Sequence, residues 1–113
     1  MREVGGAELA AMAAAIARAR HRRLPVLLDG FLAGAAAVVL AAAAEGALDH
    51  CLPAHRSSER GHRLVLDHLG LTPIVDLDLR LGEGSGAAVV IPIVAMACAG
   101  VVEVPTFEEW FGS

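Results

Sequence analysis

Hydrophobic and polar residues follow a helical period in the first part of the chain. Apolar positions recur every three or four residues from Ala7 to about Arg22, which predicts a helix that ends in arginines. The apolar run of "LPVLLDG" then predicts a buried strand that ends in a turn at Asp29-Gly30. An alanine-rich helix is predicted over Phe31 to Glu45, where Gly46 ends it.

The second part of the chain predicts a similar succession of elements. "ALDHCLPAH" predicts a short strand, and Ser57 or Ser58 is predicted to cap the helix that ends at Gly70. Strict alternation of apolar and charged residues predicts a strand or an extended segment over residues 75–81. A glycine-rich loop precedes an apolar helix predicted over residues 85–101, and a short amphipathic tail follows Pro105.

Alternating helices and strands predict an α/β fold in which crossover helices connect parallel strands. The chain has 113 residues, of which 56% are hydrophobic, but much of that fraction is alanine and only 4% is aromatic. Alanine buries little area, so the core should be thin and the domain should pack against something else. Phe107, Trp110 and Phe111 cluster in the tail, which indicates docking onto another surface.

The apolar run over residues 86–102 approaches the length of a membrane span. Because it contains Pro92 and Gly100 and follows a charged glycine loop, a buried helix is favoured over a membrane segment. The first residues, which include Glu3, do not resemble a signal peptide, so a cytoplasmic protein is expected.

Charge and cysteine usage exclude several classes of site. The net charge is −4 and no basic stripe is present, which argues against nucleic acid as a partner. Cys51 and Cys98 have no CxxC spacing, so buried free thiols in a reducing compartment are expected. The histidines His50, His55, His62 and His68 match no metal-ligand spacing. No metal or cofactor is therefore expected.

Two acidic residues are candidates for chemistry. Glu83 lies in "RLGEGSGAA", residues 80–88, where glycines allow close approach of a ligand and a helix N-terminus can hold an anion. From the residues alone, a plain glycine turn in which Glu83 stabilises the helix dipole is favoured over a ligand site. Asp29 follows a predicted parallel strand, where open α/β sheets bind ligands, but an Asp-Gly pair also forms turns.

Four segments, taken in order, resemble a known family. They are "VGGAELAAMA" (4–13), "LPVLLDGFLAGAAA" (24–37), "PAHRSSERGHRLVLDHLGL" (53–71) and "LRLGEGSGAAVVIPIV" (79–94). Together they resemble the C-terminal third of the nicotinate-nucleotide–dimethylbenzimidazole phosphoribosyltransferases, over about residues 4–98. The resemblance implies the last part of a Rossmann-like three-layer domain in residues 1–80. Residues 81–113 would be the catalytic loop and the C-terminal helices of a small helical domain.

The resemblance also implies an activity and a site. The family transfers phosphoribose from nicotinate mononucleotide to dimethylbenzimidazole, which forms α-ribazole 5′-phosphate for cobalamin assembly. Glu83 matches the family's general base, Leu81 and Gly82 match positions beside the substrates, and Ser57 matches a position near the nucleotide. Gly84 in the same loop and Asp29 at the strand end complete the expected substrate-binding residues.

The departures from the family set the expectations for this chain alone. Family members are roughly three times as long, so the chain should lack activity by itself and should need a homodimer partner or an N-terminal partner segment. Two other functions remain open: a non-catalytic nucleotide- or anion-binding module, and a dimerising assembly domain.

Overall fold

In the part of the chain that the structure describes, helices alternate with two short parallel strands, which confirms the predicted α/β class. The computed structural model describes residues 5–112, so the residues before Gly5, including Glu3 and the start of the first family-like segment, lie outside it. The elements are α1 (Ala7–His21), β1 (Val26–Leu28), α2 (Phe31–Ala43), β2 (Cys51–Pro53), α3 (Arg60–Leu69), α4 (Ser85–Glu103) and α5 (Phe107–Phe111).

Strands β1 and β2 pair in parallel through the crossover helix α2. Val26 lies opposite Cys51 and Leu28 lies opposite Pro53, so both strands end at the same edge of the sheet. The loops after β1 and β2 therefore emerge side by side, which is where open parallel sheets place their sites.

The core is thin because small residues make up much of it. Its buried members come from α1, α2 and the two strands: Ala13, Ile16, Leu28, Ala36, Ala37 and Cys51. Ala36 and Ala37 are completely buried, which lets α2 pack close to its neighbours but removes little apolar area from water.

Helix α3 ends as predicted but begins later. Gly70 adopts a left-handed conformation, with φ of 64°, and ends the helix. The helix begins at Arg60 with Glu59 at the N-cap, and no side chain among residues 5–112 caps it, so the predicted cap by Ser57 or Ser58 is wrong. The physical reason is that Ser57 is engaged by His62 of the same helix.

The predicted strand over residues 75–81 is wrong. Within the described residues only Val75 pairs, in an isolated parallel bridge with His55. Leu77 and Leu81 are 58% and 78% exposed, and Asp78 has a positive φ of 52°. Beyond Val75 the segment has no neighbouring strand to pair with among the described residues, so the rest of it is irregular.

Helix α4 is exposed along most of its length, which contradicts the prediction that it is buried. Only Gly86 and Val90 of this helix are buried. By length and composition alone α4 could cross a membrane, with a mean hydropathy of 2.2 over its most apolar window. The thiol of Cys98 is likewise exposed instead of buried, whereas Cys51 is buried as expected.

Candidate functional site

A cleft of about 490 Å³ opens at the shared edge of the two strands. Its walls are the turn after β1, the loop between β2 and α3, and the glycine loop before α4. All the residues that the sequence singled out for a site line this one cleft: Asp29, Ser57, Leu81, Gly82, Glu83 and Gly84. The fold thus brings together positions that lie as far apart in the chain as 29 and 84.

The glycine loop presents Glu83 on an unusual backbone. Gly82, Glu83 and Gly84 have φ values of 77°, 55° and 77°, so three successive residues are left-handed. Glycine adopts this conformation freely, but for glutamate it costs about 1 kcal/mol or more. Such strain concentrates at functional sites, and here the strained residue lies in the wall of the cleft with its side chain exposed.

Asp29 has a role that sequence analysis missed. Its Oδ1 accepts a hydrogen bond of 2.8 Å from the backbone N–H of Ala87, the third residue of α4. This satisfies one of the free N–H groups at the start of the helix and places a negative charge at the positive end of its dipole. Asp29 is therefore a cap supplied from a distant loop, which no local sequence pattern reveals.

His55 is packed between Asp29 and the start of α4. Its side chain is nearly fully buried, and Nε2 lies 3.7 Å from Asp29 Oδ1. A Cβ atom at Gly86 would collide with the imidazole, so glycine is required for the ring to lie against the helix. His55 Nδ1 has no hydrogen-bond partner among the described residues. The position of His55 just after β2 was the only sequence signal for this role.

His62 holds the opposite wall of the cleft. It is 1% exposed, and its Nδ1 accepts a hydrogen bond of 3.1 Å from the backbone N–H of Ser57. The Ser57 hydroxyl oxygen lies 3.0 Å from the same nitrogen. Because a backbone N–H can only donate, His62 Nδ1 carries no proton in this arrangement.

The electrostatic surroundings favour the same neutral state of His62. Burial lowers the pKa of His62, and the neighbouring His55 lowers it further, while Glu59 and Asp29 act in the opposite direction. The two rings meet edge to face, with centroids 5.9 Å apart. His62 and His55 therefore form a buried pair that connects the Ser57 wall to the α4 wall.

Two arginines near the cleft are paired with aspartates. Arg56 forms an ion pair with Asp76, and Arg80 binds Asp78 through contacts of 2.8 and 3.1 Å. Among residues 5–112, no group of three or more His, Cys, Asp or Glu side chains is placed to hold a metal ion. The polar side chains that line the cleft are three carboxylates, two hydroxyls, one imidazole and one guanidinium: Asp29, Glu59, Glu83, Ser57, Ser58, His55 and Arg80.

Comparison with known proteins shows that this chain is similar to phosphoribosyltransferases. The profile of a family described as phosphoribosyltransferase matches residues 1–110. The nicotinate-nucleotide–dimethylbenzimidazole phosphoribosyltransferase of Allorhizobium ampelinum is 53% identical over 109 residues, which is 96% of this chain and 32% of that protein. The enzyme of the same name from Methylorubrum extorquens is 52% identical over 109 residues, which again is 96% of this chain and 32% of that protein.

A solved structure shows the same fold. The crystal structure of nicotinate-nucleotide–dimethylbenzimidazole phosphoribosyltransferase from Thermus thermophilus matches with a TM-score of 0.86 at 43% identity. The match covers 98% of this chain but 33% of that structure. The chain therefore spans about a third of the length of the relatives that it matches.

Proposed function

Because the chain belongs to the phosphoribosyltransferase family, we propose that it forms the C-terminal third of an enzyme that moves phosphoribose from nicotinate mononucleotide to dimethylbenzimidazole. The observation that carries this proposal is the position of Glu83, which lies with Ser57 and the loop glycines around a single cleft. Residues 1–80 would belong to the large domain of that enzyme, and residues 81–113 to the catalytic loop and the small domain.

Glu83 supplies the general base in this proposal. One benzimidazole nitrogen attacks C1′ of the ribose, the bond from C1′ to the nicotinate ring nitrogen breaks, and its electron pair returns to that nitrogen. The other benzimidazole nitrogen gives its proton to the Glu83 carboxylate, which leaves α-ribazole 5′-phosphate neutral at the ring. The loop that carries Glu83 lines the cleft, with left-handed backbone at Glu83 and at the glycine on each side.

The remaining residues of the cleft suit substrate contacts. Gly82 and Gly84 carry no Cβ, so a ligand can approach their backbone closely. Leu81 is 78% exposed and offers an apolar contact for a flat heterocycle. Ser57 provides a hydroxyl near the nucleotide. Asp29 would act mainly through α4, since its carboxylate already binds the helix N-terminus.

The arrangement of Asp29 also argues against the simpler alternative of an anion-binding module. Such a module would hold an anion at the N-terminus of α4, where the Asp29 carboxylate already accepts the N–H of Ala87. A second negative charge at this position would be repelled by the first. The acid–base chemistry of Glu83 therefore accounts for the loop better than an anion held at the start of α4 does.

The partner in this proposal is a polypeptide that carries the rest of the family fold. An apolar groove of about 500 Å³ runs between α4 and the sheet, lined by aliphatic residues that include Leu52, Ile74, Ile93, Ala97 and Val101. Exposed apolar surface of this kind marks an interaction site. Since the relatives are about three times as long as this chain, we assign the groove to their N-terminal two-thirds rather than to a second copy. Such an assembly would work in the cytoplasm.

Reconstitution tests the proposal. The chain is mixed with a polypeptide that comprises the first two-thirds of the Allorhizobium ampelinum relative, and α-ribazole 5′-phosphate is measured. We expect product from the mixture and none from either polypeptide alone. Light scattering of this chain alone distinguishes the alternatives: a stable dimer that does not bind the other polypeptide would favour a dimerising assembly domain. A complex that forms but makes no product would contradict the proposed activity.

A further inference from the structure

The buried pair His62–His55 connects the two walls of the cleft. On one side, His62 accepts the backbone N–H of Ser57, which belongs to the wall between β2 and α3. On the other side, His55 lies against Gly86 and beside Asp29, and Asp29 caps α4 directly behind the Glu83 loop. Both rings are at least 97% buried, so neither can move without disturbing its neighbours.

We propose that His62 and His55 are positioning residues that set the distance between Ser57 and Glu83. When His62 takes up a proton, this distance is no longer fixed. The proposal rests on the proposed function, since it assigns these two walls to one active site. It adds that the geometry of this active site depends on the protonation of His62, which is not one of the reacting groups.

Only the neutral state of His62 can accept the hydrogen bond from the Ser57 backbone N–H, which belongs to the cleft wall. A proton on Nδ1 would turn the acceptor of the Ser57 N–H into a second donor, and this hydrogen bond would be lost. The new positive charge would face the imidazole of His55 at a centroid distance of 5.9 Å. His55 in turn lies 3.7 Å from the Asp29 carboxylate that caps α4, so the disturbance reaches the Glu83 loop.

The groups around His62 determine how readily this occurs. His55, Glu59 and Asp29 are the ionisable groups that act on His62, and the first opposes its protonation while the other two favour it. Helix α2 packs against the ring near Gly34 and contributes no charged residue. The neutral state should hold at neutral pH, and the protonated state should appear as the pH falls below the usual range for histidine.

The conservative variant separates positioning from simple packing. In His62→Asn, the side-chain oxygen can accept the Ser57 N–H but cannot take up a proton in this pH range. In His62→Phe, the ring volume is kept but the acceptor is lost. His68→Asn is the matched control, because His68 is exposed on the same helix.

Nuclear magnetic resonance of the full chain tests the proposal without an activity assay. Amide spectra are recorded from about pH 8 to about pH 5, a range that brackets histidine titration. We expect the amides of Ser57 and Glu83 to shift together, with one midpoint that is also the midpoint of His62. His62→Asn should abolish both shifts and keep the high-pH spectrum, and His68→Asn should change neither. His62→Phe should speed exchange of the Ser57 amide roughly tenfold at every pH.

Two results would overturn the proposal. In one, the Ser57 amide follows His62 while the Glu83 amide does not, which would mean that the walls are not connected. In the other, His62→Asn still shows both shifts, which would assign them to another group. Neither result bears on transfer activity in the reconstituted enzyme, so the proposed function and this inference can fail separately.

Discussion

Asp29 and Ala87 are 58 positions apart in the chain, yet Asp29 Oδ1 accepts the backbone N–H of Ala87 at 2.8 Å. This hydrogen bond ties the turn after β1 to the first turn of α4. Because Glu83 lies two residues before the start of that helix, the bond also positions the backbone of the Glu83 loop relative to the strand edge. The helix cap is therefore a structural condition for the site.

Removal of this cap should destabilise the fold and loosen the Glu83 loop. Asp29→Ala leaves the N–H of Ala87 without its acceptor, and we expect a loss of about 1–3 kcal/mol in the free energy of unfolding. Asp29→Asn keeps an oxygen acceptor but loses the charge at the helix end, so a smaller loss is expected. Urea unfolding measures both, and equal losses for the two variants would show that the hydrogen bond contributes nothing.

The contact between His55 and Gly86 predicts that adding one methyl group at position 86 destabilises the fold. Gly86→Ala places a Cβ where the His55 ring lies, and we expect a loss of about 1–3 kcal/mol because the buried ring cannot move aside freely. Gly100→Ala in the same helix meets no neighbouring atom and should instead stabilise by up to about 1 kcal/mol. Thermal unfolding of the pair provides the comparison, and similar melting temperatures would contradict the packing described here.

The burial of His62 predicts a pH dependence of stability. Its folded pKa is lowered from the usual value of about 6.5, so the unfolded chain takes up a proton at this residue more readily than the folded chain does. Its contribution to stability is fully present above about pH 6.5 and is lost progressively as the pH falls toward the folded pKa.

Variants isolate this contribution from that of other ionisable groups. Between about pH 7.5 and about pH 5.5, the free energy of unfolding should fall less in His62→Asn than in wild type. The exposed His68→Asn control should retain the wild-type slope. Identical slopes in all three proteins would place the pH dependence elsewhere.

The apolar groove on α4 predicts where the remaining polypeptide binds. Val101 lines the groove and is 85% exposed, so Val101→Lys should leave the folded chain intact while weakening association at least tenfold, or about 1.4 kcal/mol. Leu64→Lys on α3 is the control, because Leu64 is 70% exposed but lies outside the groove. Calorimetric titration with the complementary polypeptide measures both, and equal affinities would assign the interface to another surface.

The sequence predicted the local elements of this fold better than its long-range contacts. The limits of α1 and the end of α3 at Gly70 follow from periodicity and from the residue types at helix ends. The strand predicted over residues 75–81 failed because pairing depends on a neighbour, and only Val75 has one among the described residues. The prediction that α4 is buried was also wrong, because an apolar pattern does not show which surface covers a helix.

The candidate site shows the same division. The glycines and Glu83 were recognisable in the sequence because they form one contiguous motif, "RLGEGSGAA". The contributions of His55 and His62 were not recognisable, because each acts through a residue brought close by folding. Asp29 was recognised as a candidate, but its capping of α4 depends on a contact across 58 positions.

The role of Glu83 as general base is the central claim, and one variant tests it most directly. In the reconstituted enzyme, Glu83→Gln keeps the size and polarity of the side chain but cannot accept the azole proton. We expect formation of α-ribazole 5′-phosphate to fall by about 10²–10⁴-fold, with the complex still assembled. Glu45→Gln, at an exposed position outside the cleft, should retain wild-type turnover. Near-normal turnover in Glu83→Gln would contradict the account.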